Sequence, residues 1–223
     1  MARGLELGRR KEKRLKTLIN KVDAMFDNNI KMVGLVQELL KTNNNELALK
    51  IIDLEEISDQ LQQEIVIDVN TIIITEQPKA GDLRLVLSIL IISNELEIIS
   101  DYYKKFAKKM LKTELSERKH QELVSSLVAT SYSDLNETKE AFDKLSHDLA
   151  SSIARRSEEV DEIITTFTND INNLLVEAGS YDEVKSLTRI LSMSKNLERT
   201  FAHLLVICEQ ISYIANGQVF HYA

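Results

Sequence analysis

Residues 77–101 read QPKAGDLRLVLSILIISNELEIISD, and this stretch decides the fold. Pro78 ends the preceding helix, because the residue before a proline is pushed out of the α region. Beyond it, one stripe at helical spacing begins with leucines and ends with acids: Leu83, Leu87, Leu90, Asn94, Glu97 and Asp101. The stretch therefore predicts the end of one helix, a short turn and a long amphipathic helix.

Helical periodicity extends outward from this stretch over the whole chain. The 223 residues contain one Pro and six Gly, too few for the many turns of a β fold. The pattern predicts six long helices, at roughly 6–41, 46–76, 80–112, 116–143, 148–177 and 182–215. Short polar loops between them predict that sequential helices pack antiparallel.

The two halves of the chain look alike. Glu97 and Glu198 each follow an apolar run and a helical turn that contains one asparagine, and they are 101 positions apart. Asp59 and Asp161 are 102 positions apart. These offsets favour an internal duplication over coincidence between helix-rich segments. We therefore predict an all-α fold of two tandem pseudo-symmetric three-helix bundles, residues 1–113 and 114–223.

Acids occupy positions on two helices where core residues are expected. Glu55 and Asp59 interrupt one mostly apolar face, and Glu97 and Asp101 extend another. Like charges four residues apart repel, and buried unpaired carboxylates cost far more. No Lys or Arg stands at a neighbouring position of either stripe, so the pattern indicates a hard metal ion such as Mg²⁺, Mn²⁺ or iron. The alternative is a solvated acidic face.

The second half keeps only part of this pattern. Asp161 and Glu198 hold the matching positions, but Ser157 and Ala202 stand where their partner acids would be. Either the second site is lost, or Glu158 or His203 substitutes in it. Glu117 and His120 have the Glu-x-x-His spacing of di-iron bundles, but the chain holds no second copy.

Other features exclude several function classes. The net charge of −7 argues against nucleic-acid binding, although the N-terminal helix carries a basic cluster suited to solvent, an acidic partner or a membrane face. Phosphate-cradling loops and nucleophile elbows are absent, and the single cysteine, Cys208, lies in an apolar pattern, so we predict a non-enzyme. The charged N-terminus lacks a signal peptide, which favours a cytoplasmic location.

Three segments resemble a known family. Residues 77–86, QPKAGDLRLV, resemble the "QPxAxDLR" junction of PhoU proteins, which links the second and third helices of their first repeat. Residues 196–199, NLER, resemble the family's "LERIGD", and residues 216–221, NGQVFH, resemble its "KGQDFRH"-like ending. The likeness spans nearly the whole chain and implies tandem three-helix bundles with acidic metal motifs on their concave faces.

The resemblance also implies a function. PhoU proteins negatively regulate phosphate uptake and the phosphate-starvation response, bridging a phosphate ABC transporter and a sensor histidine kinase at the inner membrane face. It implies metal binding, of Mg, Mn, Fe or Zn, by these residues: Glu55, Asp59, Glu97, Asp101, Asp161 and Glu198. It permits a homodimer and peripheral membrane association through partners. The alternatives are an accessory subunit of a low-affinity phosphate permease and a di-metal carboxylate enzyme.

Overall fold

The computed structural model describes residues 2–112 and 118–222, including the side chains of 10–112, 124–157 and 159–222. Within these ranges every regular element is helical, which confirms the predicted all-α class. The helices are α1 Ala2–Thr42, α2 Asn45–Glu76, α3 Gly81–Met110, α4 Arg118–Lys144, α5 His147–Ala154, α6 Ser157–Glu177 and α7 Tyr181–Asn216. The predicted boundary between residues 113 and 114 lies outside the described residues.

Local signals set most helix ends. The Asn44 side chain caps α2 by accepting a hydrogen bond from the Glu46 N–H at 2.9 Å, and Ser180 caps α7 in the same way. Gly217 ends α7 with a φ of 69°, where an added Cβ would lie 3.2 Å from the Arg84 guanidinium carbon. Gln77 also adopts a left-handed conformation, with a φ of 46°, directly before Pro78. The turn at 77–80 therefore separates α2 from α3 where the proline predicted it.

The predicted fifth helix, 148–177, is wrong in one respect: it is two helices, α5 and α6. The break falls at Arg155 and Arg156, without a proline or glycine to signal it. The Arg156 N–H donates to the carbonyl of Ile153 at 3.1 Å, three residues back instead of four. This tightened turn redirects the chain into α6.

The two halves pack side by side through α3 and α7, which run antiparallel. The Ser88 hydroxyl donates to the Gln210 amide oxygen at 3.0 Å near one end, and the Lys109 ammonium donates to the Ser192 hydroxyl at 2.7 Å near the other. One hydrophobic core, reaching from Leu18 to Ile211, passes through both halves. In the part of the chain that the structure describes, none of the helices carries an apolar stretch long enough to cross a membrane.

The contact between α3 and α7 is one interface, or seam, between the two halves. A second seam joins α1 to α4. The rings of Phe26 and Phe142 lie 5.5 Å apart between centroids. The Tyr103 hydroxyl, on α3, is fully buried and lies 2.8 Å from the Ser131 hydroxyl on α4. These contacts make α1, α3, α4 and α7 the centre of the molecule, and α2 and α6 lie farther from the seams.

Candidate metal centre

Two buried asparagines on α1 set the height of α2 against α3. The Asn28 side-chain amide donates to the carbonyl of Leu54 at 2.7 Å, and that of Asn29 donates to the carbonyl of Leu96 at 3.1 Å. Leu54 and Leu96 are the residues directly before the two predicted glutamate ligands. The asparagines therefore bring the acidic turns of α2 and α3 to the same level of the bundle.

Three of the four predicted first-half acids converge at this level. Carboxylate oxygens of Glu55, Asp59 and Glu97 all lie within 4.8 Å of one another. Oxygens that share one metal ion lie at most about twice the metal–oxygen distance apart, or roughly 4–5 Å, so the three can share an ion. Glu55 is only 4% exposed, and Glu97 is half-buried. Asp101 lies outside the group and forms an ion pair with Lys105.

The cluster carries excess negative charge. Burial raises the pKa of Glu97 above its usual range, and the nearby charges of Asp59, Asp101 and Glu55 raise it further. Burial is the largest cause of this shift, and the three carboxylates add to it because like charges disfavour ionisation. A site of this kind favours a bound cation.

The expectation that no basic residue stands beside these acids is wrong. Lys104, seven residues after Glu97 on the same face of α3, donates to Glu55 at 2.6 Å. This hydrogen bond is the main cause that raises the pKa of the Lys104 ammonium. The sequence carried the signal, because positions i and i+7 share a helix face, but Lys104 belongs to a different helix from its partner.

The second half does not assemble a matching group. Asp161 and Glu198 are both exposed, and neither belongs to a cluster of three metal-ligand side chains in the described ranges. The space between α4, α6 and α7 is instead an apolar cleft, lined mainly by Leu127, Val160, Ile163, Ile164, Leu197, Phe201 and Leu204. The second-half ligands stay a prediction, and Ser157 and Ala202 add no carboxylate beside them.

A fixed cation lies at the break between α5 and α6. The Arg156 guanidinium donates to Asp134 at 2.8 Å and lies 2.9 Å from Glu137, both on α4. Asp134 is 3% exposed, and burial raises its pKa to about 6 although Arg156 opposes the shift. This group was not predicted from the sequence. Asp134 belongs to no motif, and its partner Arg156 lies at a helix break that no proline or glycine marks.

The remaining candidates have other roles or lie outside the described side chains. His203 contacts Glu95 of α3, with 2.5 Å between Nδ1 and the carboxylate, so it belongs to the seam between the halves. Cys208 is fully buried in the hydrophobic core, which confirms its assignment, and this burial raises the pKa of its thiol to about 12. The side chains of Glu117, His120 and Glu158 lie outside the described set.

Comparisons with known proteins agree with this architecture. The family profile described as "PhoU domain" matches residues 22–110 and again residues 124–211. A protein of Thermotoga maritima named "Phosphate-specific transport system accessory protein PhoU homolog 1" is 31% identical over 185 residues, covering 81% of this chain and 78% of its own. A homologue of the same description from Rhizobium meliloti is 28% identical over 208 residues, covering 92% of this chain and 87% of its own.

Solved structures share the fold. The crystal structure of PhoU from Pseudomonas aeruginosa superposes with a TM-score of 0.86 at 23% identity, covering 93% of this chain and 99% of that one. The structure of the phosphate transport system regulatory protein PhoU from Streptococcus pneumoniae gives a TM-score of 0.84, also at 23% identity, with 95% and 99% coverage.

Proposed function

Because the chain belongs to the PhoU family, we propose that it is a regulatory accessory protein of phosphate transport whose first half binds one divalent cation. Glu55, Asp59 and Glu97 are the proposed ligands. The observation that carries the metal assignment is that one oxygen of each carboxylate lies within 4.8 Å of the other two, between α2 and α3.

The donor set fits a hard cation. All three donors are carboxylate oxygens, the ligands that Mg²⁺ and Mn²⁺ prefer, whereas structural zinc sites usually contain Cys or His. Counting Asp101, four carboxylates face the ammonium groups of Lys104 and Lys105, which leaves two negative charges uncompensated. One divalent ion would neutralise them, and the chemistry that it would supply is structural: it would tie α2 to α3.

The regulatory part of the proposal rests on the family. Its curated relatives are named as accessory proteins of a phosphate-specific transport system. We propose that this chain acts in the same way, as a cytoplasmic adaptor between a phosphate ABC transporter and a sensor histidine kinase, and that it favours the kinase's off state. Its contribution is then a surface whose shape the ion stabilises, with no reaction catalysed.

Complementation tests the regulatory role. The chain would be expressed in a bacterium that lacks its own PhoU protein and carries a phosphate-starvation reporter. We expect the reporter to be repressed in phosphate-rich medium, and we expect transporter or kinase components to copurify with the chain. A reporter that stays fully active despite normal expression of the chain would contradict the role.

The Asp59→Asn/Glu97→Gln variant separates the metal from the adaptor role. Both substitutions keep the size of the side chain and remove a ligand charge. We expect this variant to fold, to bind no Mn²⁺ and to repress the reporter less. Asp53→Asn/Glu56→Gln, which changes two exposed acids of α2 outside the cluster, is the matched control. If both variants repress the reporter equally, regulation does not depend on the metal.

A further inference from the structure

We propose that Lys104 is a resident counter-ion that competes with the metal for Glu55 and thereby sets the metal affinity; this inference rests on the proposed metal site. The Lys104 ammonium lies 2.6 Å from Glu55 Oε2 and crosses from α3 to α2 to reach it. Its partner oxygen belongs to one of the three carboxylates that converge. The ammonium and an ion therefore compete for the same carboxylate.

Burial makes this competition strong. The Glu55 side chain is 5% exposed and that of Lys104 is 24% exposed, so the contact is largely removed from water. A charge-assisted hydrogen bond in such surroundings is stronger than a neutral one and far stronger than an exposed ion pair. An incoming ion must displace the ammonium from that oxygen or share the carboxylate with it. In either case part of the binding free energy is used to weaken the ion pair.

The contact also has a role without metal. Glu55 is almost fully buried, and Lys104 is its ion-pair partner among the described side chains. Removing the ammonium leaves a buried carboxylate without a cation, which destabilises the metal-free protein. Metal then provides the missing charge, so the same substitution should increase the stabilisation that metal gives. Lys104 thus stabilises the metal-free bundle and weakens the binding of the metal, so that the bound ion can dissociate.

Lys105 supplies a matched control. It is the next residue, it carries the same charge, and it pairs with Asp101 of the same acidic face. Its side chain is 52% exposed, however, and its partner lies outside the group of three converging oxygens. Lys105→Met therefore removes the same charge from the neighbourhood without freeing a proposed ligand.

Titration with Mn²⁺ tests the inference, with isothermal calorimetry for affinity and thermal unfolding as a second readout. We expect Lys104→Met to bind Mn²⁺ at least about tenfold more tightly than the unmodified chain, because the charge-assisted bond no longer competes. Lys105→Met should change the affinity by less than about threefold, as expected for an exposed pair. Lys104→Arg, which keeps the charge, should remain close to the unmodified chain. The metal-free Lys104→Met protein should unfold at a lower temperature and gain more from Mn²⁺.

The outcomes separate this inference from the metal site itself. Equal affinities for the unmodified chain, Lys104→Met and Lys105→Met would overturn the competition and leave the metal site standing. Weaker binding by Lys104→Met would also overturn it, since Lys104 would then orient Glu55 for the ion. No Mn²⁺ binding by any of the proteins would overturn both proposals. If Lys104→Met does not fold, Lys104→Gln gives the same comparison, with a tighter affinity again expected.

Discussion

Substituting Arg156 by Gln tests whether a fixed cation stabilises the second half. Arg156 is the cation that contacts the buried Asp134, at 2.8 Å, and the Asp134 side chain is 5% exposed. Breaking a buried ion pair by removing one partner costs about 3–5 kcal/mol. Since Arg156 itself is one-third exposed, we expect the lower end, about 3 kcal/mol at pH 8. For a chain of this length that corresponds to a fall in Tm of roughly 6–12 °C.

The loss should depend on pH with a defined sign. The folded protein raises the pKa of Asp134 to about 6, so the fold disfavours its ionised form, and Arg156 partly offsets this effect. Without the arginine the pKa of Asp134 rises further, and protonation relieves the unpaired charge as the pH falls. The difference in unfolding free energy between Arg156→Gln and the unmodified chain should therefore be largest at pH 7–8 and shrink towards pH 5.

Urea denaturation at pH 5 and pH 8 measures this difference. Asp134→Asn/Arg156→Gln, which removes the stranded charge, should recover much of the loss at pH 8. Lys144→Gln breaks an exposed pair with Glu140 on the same helix and should change stability by less than about 0.5 kcal/mol. The reasoning is refuted if Arg156→Gln loses less than about 1 kcal/mol, or loses the same amount at both pH values.

Three further predictions follow from single contacts. Glu97→Gln should stabilise the metal-free protein at pH 7, because the raised pKa of Glu97 shows that the fold disfavours its ionised form. Thermal unfolding measures this gain, which should disappear in acid, where the unmodified Glu97 is protonated. Gly217→Ala should cost about 1–2 kcal/mol in urea denaturation, because φ is 69° and the Cβ would crowd Arg84; an unchanged midpoint would contradict this. Tyr103→Phe should cost about 0.5–1.5 kcal/mol, since it removes the hydrogen bond to Ser131 between the halves; a neutral result would show that the bond contributes nothing.

The sequence predicts the helices well because their signals are local. Pro78, the Asn44 cap and Gly217 act within a turn of the chain, and the apolar spacing needs only the neighbouring turns. The break at Arg156 was missed because its polar contacts lie on another helix. Rules that consider only neighbouring residues along the chain cannot predict such a contact.

The same distinction applies to the candidate site. Glu55, Asp59 and Glu97 were predicted because they interrupt apolar stripes on their own helices. The α3 stripe is not the core face as expected, because Leu87 is 42% exposed and Leu83 and Leu90 are only half-buried. The ion pairs of Lys104 and Arg156 were not predicted, since each joins residues 22 to 49 positions apart across a helix interface. These ion pairs depend on how two helices pack against each other, and the spacing of residues along one helix does not predict that packing.

Anomalous diffraction from crystals grown with Mn²⁺ tests the central proposal most directly. We predict one manganese peak per chain between α2 and α3, within bonding distance of carboxylate oxygens of Glu55, Asp59 and Glu97, with the Glu55 carboxylate either released by Lys104 or shared between Lys104 and the ion. Density that keeps the ion pair between Lys104 and Glu55 at saturating Mn²⁺, with no peak among the three carboxylates, would contradict it.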